Sequence, residues 1–134
     1  MGPRRIAAAI LLPLAACPLA ACGEAGPDDG HRTVLGGDAR RGAAILTANT
    51  HGCGGCHTIP GIPRAHGTVG PPLHGMALRG YVAGRLPNEP DNLIAWIAGP
   101  QGIDPQSAMP DTGITLAEAA DVAAYLYTLR EIPK

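Results

Sequence analysis

Five consecutive residues constrain this chain more than any others: Cys53-Gly54-Gly55-Cys56-His57. Two thiols three positions apart, followed at once by an imidazole, suit few chemistries. One is a redox dithiol, which in thioredoxin-like chains sits at a strand-to-helix junction within a βαβ unit. No strand pattern precedes Cys53. A second is half of a zinc site, but no second C-x-x-C and no H-x₃₋₅-H pair follows. A third is a plain disulfide. The fourth is c-type haem attachment, in which both thiols add to the vinyl groups along one haem edge and the adjoining His ligates iron. The attachment pattern and the exported context read from the N-terminus favour this fourth reading. Gly54 and Gly55 then let the backbone pass close under the ring.

An iron held by His57 in an electron carrier takes a second ligand, Met or His, on its other face. The candidates are Met76, Met109, His31, His51, His66 and His74. Met109 is preferred. Ser107-Ala108-Met109-Pro110 lies far along the chain, between two helical segments, in a loop that Pro105 and Pro110 stiffen. Met76 reads as core filler. His51 reads as a surface residue, and His66 or His74 would serve a bis-His haem.

Three helices are legible. Ala39, Gly42, Ala43 and Leu46 form one apolar stripe, predicting a helix from Asp38 to Ala48 with Asp38 at its N-terminus. Pro90 opens a short helix over 91–98, which Gly99-Pro100 stops. Thr115-Leu116-Ala117-Glu118 is a capping box for a third helix, whose stripe Val122, Tyr125, Leu126, Leu129 runs to about Arg130. The intervening stretches, 52–88 and 99–113, lack periodicity, and no alternating run predicts a sheet. Loops that long belong in a compact domain only when they are functional.

The N-terminus reads as an address. Arg4 and Arg5 precede an apolar run from Ile6 that Pro13 and Pro18 interrupt, the pattern of a secretory signal rather than a span of about 20 residues. The alternative is an uncleaved anchor. Leu19-Ala20-Ala21-Cys22 resembles a bacterial lipobox, with Cys22 as the lipidated first residue of the mature protein. Leu14-Ala15-Ala16-Cys17 has the same form, but cleavage there would leave Cys22 as a spare thiol in an oxidising space. The expected organisation is a signal over 1–21, a Gly-rich acidic tether over 22–37 and one domain over 38–134. Without Arg4 and Arg5, eight of the 10 Lys and Arg remain against 11 Asp and Glu, a net −3. Such a surface cannot neutralise a run of phosphates, so nucleic acid is excluded as a partner.

With these residues in view, the stretch from Gly37 to Leu129 resembles a class I cytochrome c. The resemblance rests on the C-x-x-C-H run, on Gly70-Pro71-Pro72-Leu73-His74-Gly75 as the family's G-P-x-L-x-G loop, on Met109-Pro110, and on the last helix with Ala124-Tyr125-Leu126. It implies an all-α cytochrome c fold of three main helices and long loops around one covalent haem c. Cys53 and Cys56 would carry the haem, and His57 and Met109 would bind the iron. The Pro71 carbonyl would accept the His57 Nδ1–H, Arg79 would approach a propionate, and Trp96 would lie against the haem. Gly42 would let the first helix cross the last closely, beside Tyr125. Residues 81–88 are short where longer members carry extra helix, leaving the propionate edge more open.

The function implied is single-electron transfer by an exported, lipid-anchored, non-enzymatic carrier between redox proteins at the membrane. A narrower likeness over 84–112 is to small bacterial cytochromes of terminal oxidases and other respiratory complexes. The alternatives are a haem sensor or peroxidase-like enzyme with a displaceable axial ligand, and a fixed haem subunit of a larger complex. Composition fits a haem protein: 19 Gly, 14 Pro and no Phe make a thin core on their own. The expectation is that the chain without haem is largely unfolded.

Overall fold

The computed structural model describes residues 1, 2 and 32–133. The signal, Cys17, Cys22 and His31 lie outside the described residues. Among the described residues there are five helical segments: α1 (Ala39–Ala48), α2 (Cys53–Cys56), α3 (Pro90–Ala98), α4 (Pro100–Ile103) and α5 (Leu116–Leu126). A 3₁₀ turn covers Met76–Leu78, and a short hairpin pairs β1 (Tyr81–Val82) with β2 (Leu86–Pro87). Among the described residues no helix is long and apolar enough to cross a membrane.

The three expected helices form where their signals stand. Asp38 caps α1, its carboxylate accepting from the Arg40 and Arg41 amides. Pro90 takes the first position of α3, where a missing N–H costs nothing. Thr115 and Glu118 complete a reciprocal capping box on α5. That helix ends at Leu126, four residues before the expected Arg130. Thr128 and Leu129 bond to carbonyls three residues back, which tightens the last turn, and the Leu129 carbonyl then accepts from Ala77 N–H at 3.1 Å. Tertiary pairing thus pulls the chain off the helix axis before its apolar stripe runs out.

Helices α1 and α5 cross at Gly42. A Cβ there would lie 2.6 Å from the Asp121 carbonyl carbon and 3.0 Å from Tyr125 Cβ. The close crossing beside Tyr125 is therefore real, and only Gly permits it. Asp121, itself buried, clamps the same point. It accepts from Asp38 N–H at 2.7 Å and from Arg41 Nε and Nη2, each at 2.7 Å. Arg41 and the Asp38 amide hold the Asp121 carboxyl below the usual carboxylate range.

Two expectations give way here. The hairpin is a sheet, though a minimal one: strands of two residues are too short to show an alternating pattern. Its signal is the turn, in which Ala83 (φ 50°) and Gly84 (φ 67°) both take left-handed backbone. Of the segment read as a tether, Arg32, Val34 and Gly37 lie against the domain. Val34 is buried, Arg32 donates to the Ala77 carbonyl at 2.8 Å, and the Arg32 guanidinium stands 6.0 Å from the Tyr127 ring centre.

Candidate haem site

The helices and loops enclose one large cavity of about 460 Å³, within the range of small-molecule sites. Its walls are mostly apolar, from Leu46, Ile59, Leu73, Val82, Leu93 and Leu126 among others. Seven of the sequence-selected residues line it together: Cys53, Cys56, His57, Pro71, Arg79, Trp96 and Met109. His66 and His74 do not.

The thiol pair is presented by a single helical turn. Cys53 opens α2 and Cys56 closes it, so an i, i+3 spacing puts both on one side. Both are free cysteines. The turn starts from Gly52 in left-handed backbone and is tied to α1 through Asn49, whose Oδ1 accepts from Gly54 N–H at 3.1 Å. Asn49 escaped the sequence reading; its signal was a left-handed C-cap, a position where Asn is common. Within the chain itself Gly54 is packed closely, since a Cβ there would come within 3.0 Å of Ala65, whereas a Cβ at Gly55 would meet no protein atom within 4 Å. Burial pushes the Cys53 thiol above its ordinary pKa, keeping it a neutral thiol at neutral pH.

His57 leaves α2 in extended backbone, its N–H returning to Cys53 O at 2.9 Å. Its Nδ1 lies 2.7 Å from the Pro71 carbonyl. A carbonyl can only accept, so Nδ1 carries the proton and Nε2 keeps its lone pair free to bind a metal. Gly70 backs the ring: a Cβ there would stand 2.7 Å from Nδ1 and closer still to Cε1. The loop is held by Gly70 N–H to Cys56 O at 2.8 Å and by Leu73 N–H to Thr58 O at 2.9 Å.

Arg79 lines the cavity but spends part of its guanidinium on backbone. Nη2 donates to the Pro72 carbonyl and, at 3.0 Å, to the His74 carbonyl. Asn88, buried and unassigned by the sequence reading, ties this wall to α5. Its Nδ2 donates to the Met76 and Arg79 carbonyls, both at 2.8 Å, and its Oδ1 accepts from Tyr127 Oη at 3.0 Å. No motif marks Asn88. Met76 is buried in the core as expected, and it also touches the cavity.

Met109 enters from the loop after α4. Its N–H donates to Ser107 Oγ at 3.2 Å, and Asp111 Oδ1 accepts from Gln101 N–H at 3.3 Å, fixing the loop against α4. Arg85 and Asp104, 2.9 Å apart, close the hairpin onto the same loop. His51 departs from expectation. Its side chain is only 14% exposed, lines the cavity, and stands 3.6 Å from Glu118 Oε1. The α5 cap draws it inward.

The residues fit a covalently held macrocycle. The site offers two free thiols on one helical turn, an imidazole with its coordinating nitrogen directed by a fixed hydrogen bond, a thioether, and apolar walls. A metal ion alone does not fit, since among the described residues no group of three or more His, Cys, Asp and Glu could hold one. Fold and site together define a protein of long loops closed around a cavity that suits a covalently attached haem. The Cytochrome c family model matches residues 39–130, and the chain belongs to that family. Its members bind haem c covalently and transfer electrons through it. The chain is 35% identical over 72 residues to cytochrome c oxidase subunit 2 of Alkalihalophilus pseudofirmus. That match takes in 54% of this chain and 20% of the relative, so the chain spans about a fifth of the relative's length. The crystal structure of SoxXA from P. pantotrophus superposes with a TM-score of 0.54 at 23% identity, covering 71% of this chain and 83% of that one, and supports the fold.

Proposed function

We propose that this protein is an exported, lipid-anchored monohaem cytochrome that carries single electrons between redox proteins at a membrane, and that it is not an enzyme. Cys53 and Cys56 hold the haem through thioethers, His57 Nε2 and Met109 Sδ bind its iron, and Cys22 carries the lipid. Bound there, the haem supplies reversible one-electron exchange. The observation that carries the reading is the His57 Nδ1–Pro71 contact at 2.7 Å, within a cavity that also receives both thiols and Met109. Hydrogen bonding to Nδ1 fixes the imidazole and makes Nε2 a stronger donor. His57 Nε2 and Met109 Sδ would both be taken up in holding the iron, which would supply electron exchange rather than a place for substrate.

The test is the absorption spectrum of the exported protein. Ferric wild type should show the weak far-red band of thioether ligation, and Met109→Ala should lose it while keeping covalent haem. A band that survives in Met109→Ala excludes that ligand; rapid CO binding by reduced wild type excludes the closed site. Mass analysis of the mature chain reports haem number and lipidation of Cys22 together.

The match to part of an oxidase subunit favours one second reading, a haem domain serving a terminal oxidase as a fixed relay. Purification as an exchangeable monomer that still reduces its acceptor argues for the mobile carrier.

A further inference from the structure

We infer that Arg79 is a positioning residue for His57, acting through the backbone of the Pro71 loop. The inference rests on His57 as an iron ligand and goes beyond the propionate role that the resemblance implies for Arg79.

The geometry is a continuous chain of hydrogen bonds. The His57 imidazole is held by one acceptor, the Pro71 carbonyl. Pro71 and Pro72 both lack an N–H, so neither residue can anchor this stretch through its own amide. The carbonyls beyond Pro71 are held instead by Arg79 Nη2, which donates to Pro72 O and to His74 O. Arg79 is itself fixed, because its own carbonyl accepts from Asn88 Nδ2, and Asn88 Oδ1 accepts from Tyr127, the residue that follows α5. The guanidinium therefore bridges a rigid core element and the Pro71–Pro72 step, where the chain has no amide donor between the anchored N–H groups of Gly70 and Leu73. If that bridge is cut, the Pro71 carbonyl can drift and the bond to Nδ1 lengthens.

Two consequences separate this role from an electrostatic one. A loosened Nδ1–H bond exposes that proton to solvent and weakens Nε2 as a donor to ferric iron, which raises the reduction potential. Loss of a nearby positive charge alone would favour the ferric state and lower the potential, with the Nδ1 proton left as protected as before.

The experiment follows exchange of the His57 Nδ1 proton by NMR in the ferrous holoprotein, with the potential measured alongside. Arg79→Met, which keeps part of the aliphatic stem but has no donor, should speed exchange by about tenfold, the equivalent of losing about one ordinary hydrogen bond; the lost charge and the lengthened bond move its potential in opposite directions, so the exchange rate decides. Arg79→Lys, which keeps the charge and one donor group, should recover most of the protection. Exchange at the wild-type rate in Arg79→Met, with a lowered potential, overturns the inference and leaves Arg79 acting through its charge. If Arg79→Met does not fold, Arg79→Gln carries the test: its shorter side chain cannot bridge both carbonyls, so wild-type exchange there equally overturns the proposal. The ligation reading is checked separately, by the Met109→Ala spectrum, so its failure is distinct from failure here.

Discussion

Substituting Gly42 by Ala sets two forces of opposite sign against each other. Gly42 is an interior position of α1, where Ala is favoured by about 1 kcal/mol on helix propensity alone. A reading confined to local structure therefore predicts stabilisation. The packing predicts the reverse. The added Cβ would lie 2.6 Å from the Asp121 carbonyl carbon and 3.0 Å from Tyr125 Cβ. Ordinary contact lies near 3.4 Å or beyond, and the nearest atoms are backbone, which cannot rotate away. Helices α1 and α5 must separate, and the clamp of Asp121 on Asp38 and Arg41 spans the same crossing. Overpacking of a fixed site costs about 1–3 kcal/mol, occasionally more, and immovable backbone puts this case at the upper end. The net expectation is a loss of about 2 kcal/mol, or on the order of 10 °C in Tm for a domain of this size. Urea unfolding of the haem-loaded protein, followed by far-ultraviolet circular dichroism, gives the value directly. The midpoint should fall with the slope unchanged. A midpoint equal to or above wild type would refute the claim that this crossing is held at glycine distance.

Three further outcomes are expected. Burial pushes the Tyr127 phenol up to about 12, so the folded state keeps its proton after the unfolded chain has lost it near pH 10, and stability falls as pH rises through that window. Tyr127→Phe should remove that alkaline dependence in urea titrations, while costing about 1–3 kcal/mol at neutral pH for the acceptor stranded on Asn88. Asp121, Asp38 and Glu118 are all held below the ordinary carboxylate range, by Arg41, by the α1 amides and by Thr115 respectively. Their contribution is present above about pH 4 and is lost as pH falls through the depressed values. Asp121→Asn should make the acid limb of the urea midpoint less steep by part of a proton, and an unchanged limb would show that the clamp does not titrate with folding. Cys53→Ala/Cys56→Ala, exported without covalent haem, should lack cooperative unfolding and near-ultraviolet dichroism.

The sequence was most informative where chemistry or capping leaves a local mark. Pro90, the Thr115–Glu118 box and Asp38 each place a helix start through their own side chains or ring, and Cys53 to His57 carry their meaning in adjacent positions. What it did not show depends on partners remote in sequence. Asn88 is an unremarkable residue after a proline until Met76, Arg79 and Tyr127 converge on it. His51 lines the cavity beside Glu118, which sits at the start of a helix 67 residues later. The end of α5 was misplaced for a similar reason, since the apolar stripe continues past Leu126 while Ala77 takes the Leu129 carbonyl. The hairpin fell below the length at which alternation is a signal at all.

The scarcity of aromatic residues finds its explanation in the same geometry. Of the four aromatic rings, only Tyr127 is fully buried. Tyr81 is 64% exposed, Tyr125 reaches across to the Pro60 carbonyl, and Trp96 forms cavity wall. The packed core is otherwise Ala, Val, Ile, Leu and one Met, and it surrounds a space of about 460 Å³. If such a space had to stay empty, the cavity coefficient of about 24 cal/mol per Å³ would put an upper bound near 11 kcal/mol on its cost. That is comparable with the whole stability of an ordinary domain, about 5–15 kcal/mol. Opening to solvent relieves part of this, but only by wetting walls made of Leu and Ile. A chain with these side chains therefore reaches a stable fold by filling the space with a large apolar body that it does not itself encode. Under the proposed attachment, the two thiols on α2 would make that filling permanent.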